Sequence, residues 1–380
     1  MRNLRGITWD HVRGIAPLVA TSKEFQEKHP EISITWDKRS LKQFEDYPVE
    51  KLVDHYDLIM IDHPSIGENV EKQVIIPLDE WIPTSFLEEQ KANSVGPSYH
   101  SYSWKGHQWA LAADASAQVS AYRADLLKQV NQPVPKTWDE VLKLISNLPK
   151  SIKIGIPLHP THAFCSFYTI YCNLAKVQRI EAIDMDPALE TLSILAFLCE
   201  SAHPEVRFAN PIQVLDQMAT TNEIAYVPLI FGYINYSLAD FREHLVYFSD
   251  IPSNHKTPVG AVLGGVGLAI SSKSRFIKEA VEYAMFLVGE KSQRGTYFTS
   301  GGQPGHLQAW QDDRLDQMAN GYFSNTLTTM QHASMRPRAK GAIHLQEQAG
   351  QLIYSYLNQR KNRRETAVLL SQLFAKHEGG

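Results

Sequence analysis

The chain has 380 residues, 43% of them hydrophobic and 21% charged, with a formal net charge of −4. That length and composition suit an ordinary globular protein of two compact domains with a sizeable core. A sequence pI of about 6.4 and the lack of any Lys/Arg-rich run with interleaved aromatics exclude a nucleic-acid footprint, and no window approaches the roughly 18 continuous apolar residues that span a bilayer.

In chain order, "LRGITW" reads as a strand, "PLVATSKEFQEKHP" as an amphipathic helix stopped by Pro30, "ISITWDKR" as a second strand and "YDLIMID" as a third, buried one. This is a βαβ-rich opening with a parallel sheet. In "GHQWALAADASAQVSAYRADLLKQV" a strand crosses into a new helix at about Ala112 to Asp114, which reads as a domain crossing. "KTWDEVLKLISNL" opens with Thr137 as N-cap and Glu140 as its capping-box partner. "IKIGIPLHP" is a strand ending at His159, and helices run on to about Cys199. "NEIAYVPLIFGY" is a strand ending near Phe231, "AVLGGVGLAIS" a strand with a glycine bend, and "SRFIKEAVEYAMFLVG" an amphipathic helix. The tail from about Leu307 is largely helical. Alternation of short β runs with helices points to an α/β protein.

Taken together, "FQEKHPEISITW", "YDLIMIDHPSIGENVEKQVIIPLDEWI", "GHQWALAADASAQVSAYRADLLKQVNQPVPKTWDEV", "GGVGLAISSKSRFIKEAVEYAMFLVGEKSQRGTYFTSGGQPG" and "MRPRAKGAIHLQEQ" resemble, in order and spacing, the extracellular solute-binding proteins of ABC importers, in the branch that includes sugar binders. The resemblance implies an α/β, two-lobed periplasmic-binding-protein-like fold of type II. The ligand cleft would lie between lobes joined by crossing hinge segments and would close on binding. One lobe would hold residues 1–112 plus 262–308, the other 113–261 plus 309–380 with the helical tail. The implied partners are a small polar solute and the importer's permease subunits, with no cofactor, no nucleic acid and a monomeric chain. Members of the family are normally exported or lipid-anchored, whereas the first thirty residues show no apolar h-region or cleavage site. The expectation is therefore a periplasmic or extracellular, membrane-associated protein if a leader has been removed, and a cytoplasmic one if Met1 is the native start.

Ligands of open α/β sheets bind beyond the carboxyl ends of the strands, and polar and aromatic groups collect at those ends here. Trp9 offers a flat face for a sugar ring or a piece of core; Tyr233, after Gly232, offers a face and a hydroxyl. Arg13 can fork onto a carboxylate, a phosphate or vicinal hydroxyls, or pair with Asp10 or a surface carboxylate. His11 and His63 can bind solute or simply satisfy local hydrogen bonds. Asp62 follows a buried strand and must find donors, either sugar hydroxyls or the N-terminus of the next helix near Ser65. Asp114 lies where the chain crosses between lobes and is read as a ligand contact or a hinge residue. Gly264 and Gly265 suggest backbone amides near a ligand or a β-bulge. The "TSGGQPG" loop with Gly301, Gly302 and Gln303 is read as presenting amides to the cleft or as a turn.

The P-loop, GxSxG, HExxH and GxGxxG patterns are all missing, so no catalytic residue is assigned. Three cysteines, Cys165, Cys172 and Cys199, without CxxC spacing indicate neither a disulfide framework nor a structural zinc site. The remaining enzyme candidate is Cys165 as a nucleophile beside His159 and His162, weighed against a buried free thiol. A metal held by these histidines with His11 and His63 lacks supporting ligand spacing, and no metal is assigned. The expectation is a non-enzymatic binder of a small polar solute, a carbohydrate or polyol. The rivals are an acidic solute, such as a sugar acid, and a cytoplasmic enzyme or sensor reusing the fold.

Overall fold

The computed structural model describes residues 1–359 and 361–378, the side chains of Asp46 and Glu378 apart. The described strands are β1 (Arg2–Trp9), β2 (Ile32–Arg39), β3 (Leu58–Ile61), β4 (Ser103–Trp104), β5 (His107–Gln108), β6 (Leu111–Tyr122), β7 (Lys153–Ile154), β8 (Ile224–Phe231), β9 (Tyr247–Ser249) and β10 (Leu263–Ile270). Two compact units share the chain. Unit 1 comprises Met1–Ser116, Gly264–Asp316 and Arg336–Gly341, and unit 2 comprises Ala117–Leu263, Gln317–Met335 and Ala342–Gly380.

In unit 1, β1 pairs in parallel with β2 and β3, and β10 runs antiparallel to β3. The four residues of β3, LIMI, are all buried, as an uninterrupted apolar run in a covered sheet requires. The helix Val12–Lys28 buries Arg13, Gly14, Pro17, Leu18, Thr21, Ser22 and Phe25, a stripe at three- and four-residue spacing that faces the sheet. It opens upstream of Pro17, where the sequence placed its start, because His11 caps it: His11 Nδ1 accepts from Arg13 N at 3.1 Å. Pro17 therefore sits inside the helix. Its fixed φ is helical, and what it removes is one intrahelical hydrogen bond.

In unit 2, β6 runs antiparallel to β8 and β9, and β7 runs parallel to β8. The alanine-rich stretch read as a strand turning into a helix near Asp114 stays extended through Tyr122, and the helix begins only at Ala124. Every residue of β6 up to Ala121 is buried. Ladder pairing in a covered sheet overrides alanine's helical preference there. The strand expected to reach His159 is shorter, with ladder pairing only over Lys153–Ile154, while Ile156 and Leu158 are buried without it. Helices Pro160–Ala175, Met185–Ser201, Ala342–Gln359 and Arg363–Glu378 pack on one another around a core that includes Phe164, Phe167, Leu192, Leu195, Ile353 and Phe374. The capping box at Thr137 and Glu140 forms as its sequence requires. Among the described residues, no helix is long and apolar enough to cross a membrane.

Candidate functional site

Parallel pairing puts the carboxyl ends of β1 and β3 on the same edge of unit 1. Each strand is followed within two residues by a helical turn, and a polar residue in that short link becomes its cap. His11 caps Val12–Lys28. Asp62 caps the turn His63–Ser65, its Oδ1 accepting from His63 N at 2.8 Å. The other oxygen, Oδ2, accepts from Arg336 Nη2 at 2.5 Å. Burial works to raise the Asp62 carboxyl, but the Arg336 guanidinium and the His63 contacts outweigh it and hold it at about 2. His63 is fully buried. Burial, reinforced by Arg336 and opposed by Asp62, brings its imidazole down to about 4, so it is neutral at pH 7. Its Nε2 accepts from Arg336 N at 3.2 Å, which assigns the ring proton to Nδ1, 3.2 Å from Asp62 Oδ1.

A second ion pair lies beneath this edge. Arg13 Nε donates to Asp114 Oδ2 at 2.8 Å and Nη2 to Oδ1 at 2.5 Å, a two-pronged pair with both side chains buried. Burial moves the Asp114 carboxyl upward, against the pull of Arg13 and the Gln303 backbone amide. Arg13 is therefore paired with Asp114, not with Asp10, which is exposed and accepts from Lys38 Nζ at 2.7 Å. Removing one partner would strand the other charge in a dry site, so the pair is a support whose halves depend on each other.

Several residues singled out from the sequence turn inward. Trp9 is 3% exposed and belongs to the unit 1 core. Its ring centroid is 5.5 Å from that of Phe44, and Gly14 lies so close that a Cβ there would meet the indole at 2.5 Å. This is the core-packing alternative. Gly265 has a φ of +101°, and a Cβ there would meet Asp114 O at 2.4 Å, so its close neighbour is the β6 backbone. Gln303 Nε2 donates to Ala115 O at 2.7 Å, and its own carbonyl accepts from Ala115 N at 3.3 Å. The TSGGQPG loop thereby runs as a partner of β6, with a bridge between Asp114 and Pro304.

In unit 2, Tyr233 is buried and leads into the turn Ile234–Ser237. Gly232 before it makes room for a helix residue, since a Cβ there would meet Tyr322 Oη at 2.2 Å. His159 is the N-cap residue of Pro160–Ala175. The His162 ring packs edge-on against Phe231 at 6.1 Å and lies 6.3 Å from the His159 ring. Cys165 is fully buried in the unit 2 core, which withholds its thiol from a solute in solvent. All three cysteines are buried, and none is in a disulfide. Among the described residues, no group of three or more His, Cys, Asp or Glu is placed to hold a metal ion.

This arrangement of strand ends, covering helices and strand crossings has close counterparts among known structures. An ABC transporter solute-binding protein from Thermotoga lettingae bound with alpha-D-tagatose matches at TM-score 0.81 and 17% identity, covering 100% of both chains. The chain has the fold of the ABC-importer solute-binding proteins. T. maritima MalE3 with maltose matches at TM-score 0.81 and 16% identity over 100% of this chain and 99% of its own. UgpB from Mycobacterium tuberculosis, in complex with glycerophosphocholine, matches at TM-score 0.81 and 13% identity over 100% of both. No family model matches the sequence, and no curated protein matches it in sequence.

Within this fold the residues that sequence reasoning missed are Arg336 and Arg338. Arg336 neutralises Asp62, and Arg338 Nη1 donates to the carbonyls of His100, Ser101 and Ser103 at 2.8, 3.0 and 3.0 Å. The short segment Arg336–Gly341 belongs to unit 1 although it lies in the helical tail. The signal was present as two arginines around a proline in "MRPRAKG", a charge run unlike the amphipathic helices beside it. What the finished edge presents is Asp10 exposed, with His11 and Asp62 part-exposed, above buried pairs that hold them in place. Such a set donates to and accepts from hydroxyls without needing a proton transfer or a nucleophile.

Proposed function

We propose that the chain is a non-enzymatic solute-binding protein that captures a small neutral hydroxylated solute, a sugar or a polyol, and hands it to the permease subunits of an ABC importer. The observation that carries this reading is the fold, shared over the full length with binders of tagatose and maltose and, over 99% of this chain, with a solute-binding protein from Agrobacterium vitis holding D-mannitol. That role belongs on the outer side of the membrane. His11 and Asp62 are the direct contacts we assign in unit 1, with His63, Arg336, Arg13, Asp114, Gly265 and Gln303 as the frame beneath them. Charge supports a neutral solute over an acidic one. The cations at this edge, Arg336, Lys38 and Arg13, are each paired with a carboxylate, Asp62, Asp10 and Asp114, so an anion would gain a charge partner only by displacing one of them.

The test is a thermal-shift screen of the whole chain against neutral sugars and polyols. A ligand at about 100 times its dissociation constant should stabilise the protein by about 2.7 kcal/mol. Asp62→Asn, checked for folding by circular dichroism, should weaken the best hit by about 1 to 3 kcal/mol through lost charge-assisted hydrogen bonds. Silence across every neutral sugar and polyol overturns the reading, and undiminished affinity in Asp62→Asn overturns the assigned contact.

A further inference from the structure

Unit 2 contains a half-open cavity of about 580 Å³, the size range of small-molecule sites, built from parts that the solute-binding reading leaves unused. Its apolar lining residues are Tyr122, Val134, Pro135, Ile251 and Pro258. The Tyr122 ring is held by stacking on Tyr247, with centroids 5.6 Å apart and planes at 25°. Its polar lining includes hydroxyl residues Thr137, Ser249, Ser253 and Ser324 and the amide residue Asn325. Ser249 Oγ is buried and has no hydrogen-bond partner among the described residues, so this group gains by meeting a polar ligand.

Charge around the cavity decides what kind of ligand that is. Lys136 and Lys256 line it, and neither ammonium has an ion-pair partner among the salt bridges of the described residues. Asp250 is the one carboxylate among the described residues of the lining, and its Oδ1 is already taken by Thr329 N and Oγ1, both at 2.7 Å. Glu140, on the adjoining helix, is turned to its own backbone, accepting from Lys136 N at 2.6 Å and Thr137 N at 3.3 Å. His255 also lines the cavity, its backbone N–H donating to Ser253 Oγ at 3.1 Å. Two ammoniums against one partly satisfied carboxylate leave the cavity net positive. Its hydroxyls suit several O–H groups, and the half-buried Tyr122 ring suits the C–H face of a ring or chain.

We propose that this cavity is a second, separate ligand site, for a small hydroxylated anion of the sugar-acid or sugar-phosphate type. The anionic group lies between Lys136 and Lys256, and the hydroxyls reach Ser249, Ser253 and the second oxygen of Asp250. The site stands independently of the solute-binding reading, because its ligand class and its residues both differ.

Isothermal titration of the whole chain with gluconate, glucose 6-phosphate and inorganic phosphate tests it, in wild type and in the Lys136→Gln/Lys256→Gln double variant. At least one of the two hydroxylated anions should bind wild type, and the double variant should bind it about tenfold or more weakly, the worth of lost charge-assisted contacts. Ser249→Ala should weaken it further without altering the fold. The double variant should keep wild-type affinity for whichever neutral sugar or polyol binds. Equal affinity for the hydroxylated anion in both proteins, no binding by either hydroxylated anion at millimolar concentration, or inorganic phosphate binding as tightly as glucose 6-phosphate would each overturn the assignment. Failure of the neutral-solute screen leaves this result unaffected.

Discussion

Asp62 and His63 are neighbours in the chain, yet their protonation is governed by different forces. Asp62 stays ionised because Arg336 and His63 overcome its burial, whereas His63 stays neutral because burial dominates. Both shifts make the folded state lose stability in acid, over different windows. The Asp62 carboxyl lies below its unfolded value, so its contribution is present above about pH 4 and is lost as pH falls toward about 2. The His63 imidazole lies at about 4 against 6.5, so the unfolded chain takes up its proton first and stability drains away from about pH 6.5 down to 4. Urea denaturation of wild type should therefore lose about 2 kcal/mol between pH 7 and pH 5 from this one residue. His63→Gln, which can still accept from Arg336 N, should lack that loss. Parallel profiles for the two proteins would mean that His63 does not set the acid sensitivity. Strand-end position made both residues legible in the sequence. Arg336 was not legible as their partner, because a separation of 274 residues leaves no local trace.

At the scale of elements, the approach of β10 to β6 in unit 1 rests on Gly265. Two separate demands meet there, a φ of +101° and a Cβ position 2.4 Å from Asp114 O, and backbone cannot yield as a flexible side chain can. Gly106, with a φ of +86° and nothing within 4 Å, isolates the first demand. Gly106→Ala should cost about 1 kcal/mol, the left-handed penalty alone. Gly265→Ala should cost about 3 kcal/mol or more once steric overlap is added. Chemical denaturation of the two variants compares them directly, and equal losses would show that the strands part easily. The glycine pair was visible in "LGGVG" as a bend or a close approach. What it approaches was not visible, since that depends on which strand lies alongside. The helix start at Val12 was missed for a related reason. A proline at the sixth helical position looks like a beginning, and only the fold shows that His11 supplies the cap.

On the scale of the whole molecule, neither unit is a continuous stretch of chain. The unit 1 sheet needs β10, whose residues Gly267–Ile270 pair with Ile61–Leu58 of β3, and its core needs Ala280, Tyr283 and Leu287 from the helix Ile277–Val288. A fragment of residues 1–116 would expose β3 along one edge and lose that apolar cover. It should therefore show no cooperative thermal transition by far-UV circular dichroism. A sharp, reversible melt of the isolated fragment would show that the later segments decorate unit 1 and do not complete it.

The α/β class, the buried third strand, the capping box at Thr137 and the clustering of polar residues at strand ends were all determined by the sequence alone. Each depends on periodicity or on hydrogen bonds between residues a few positions apart, and such signals survive in a linear chain. Tertiary structure decided the pairing of Arg13 with Asp114 and of Asp62 with Arg336, the turning inward of Trp9 and Gln303, and the use of Gly232 to admit Tyr322. A buried charge takes the partner that the fold brings within reach, and a surface becomes core only when another element covers it. Both outcomes follow from desolvation, which no residue experiences until distant segments have met.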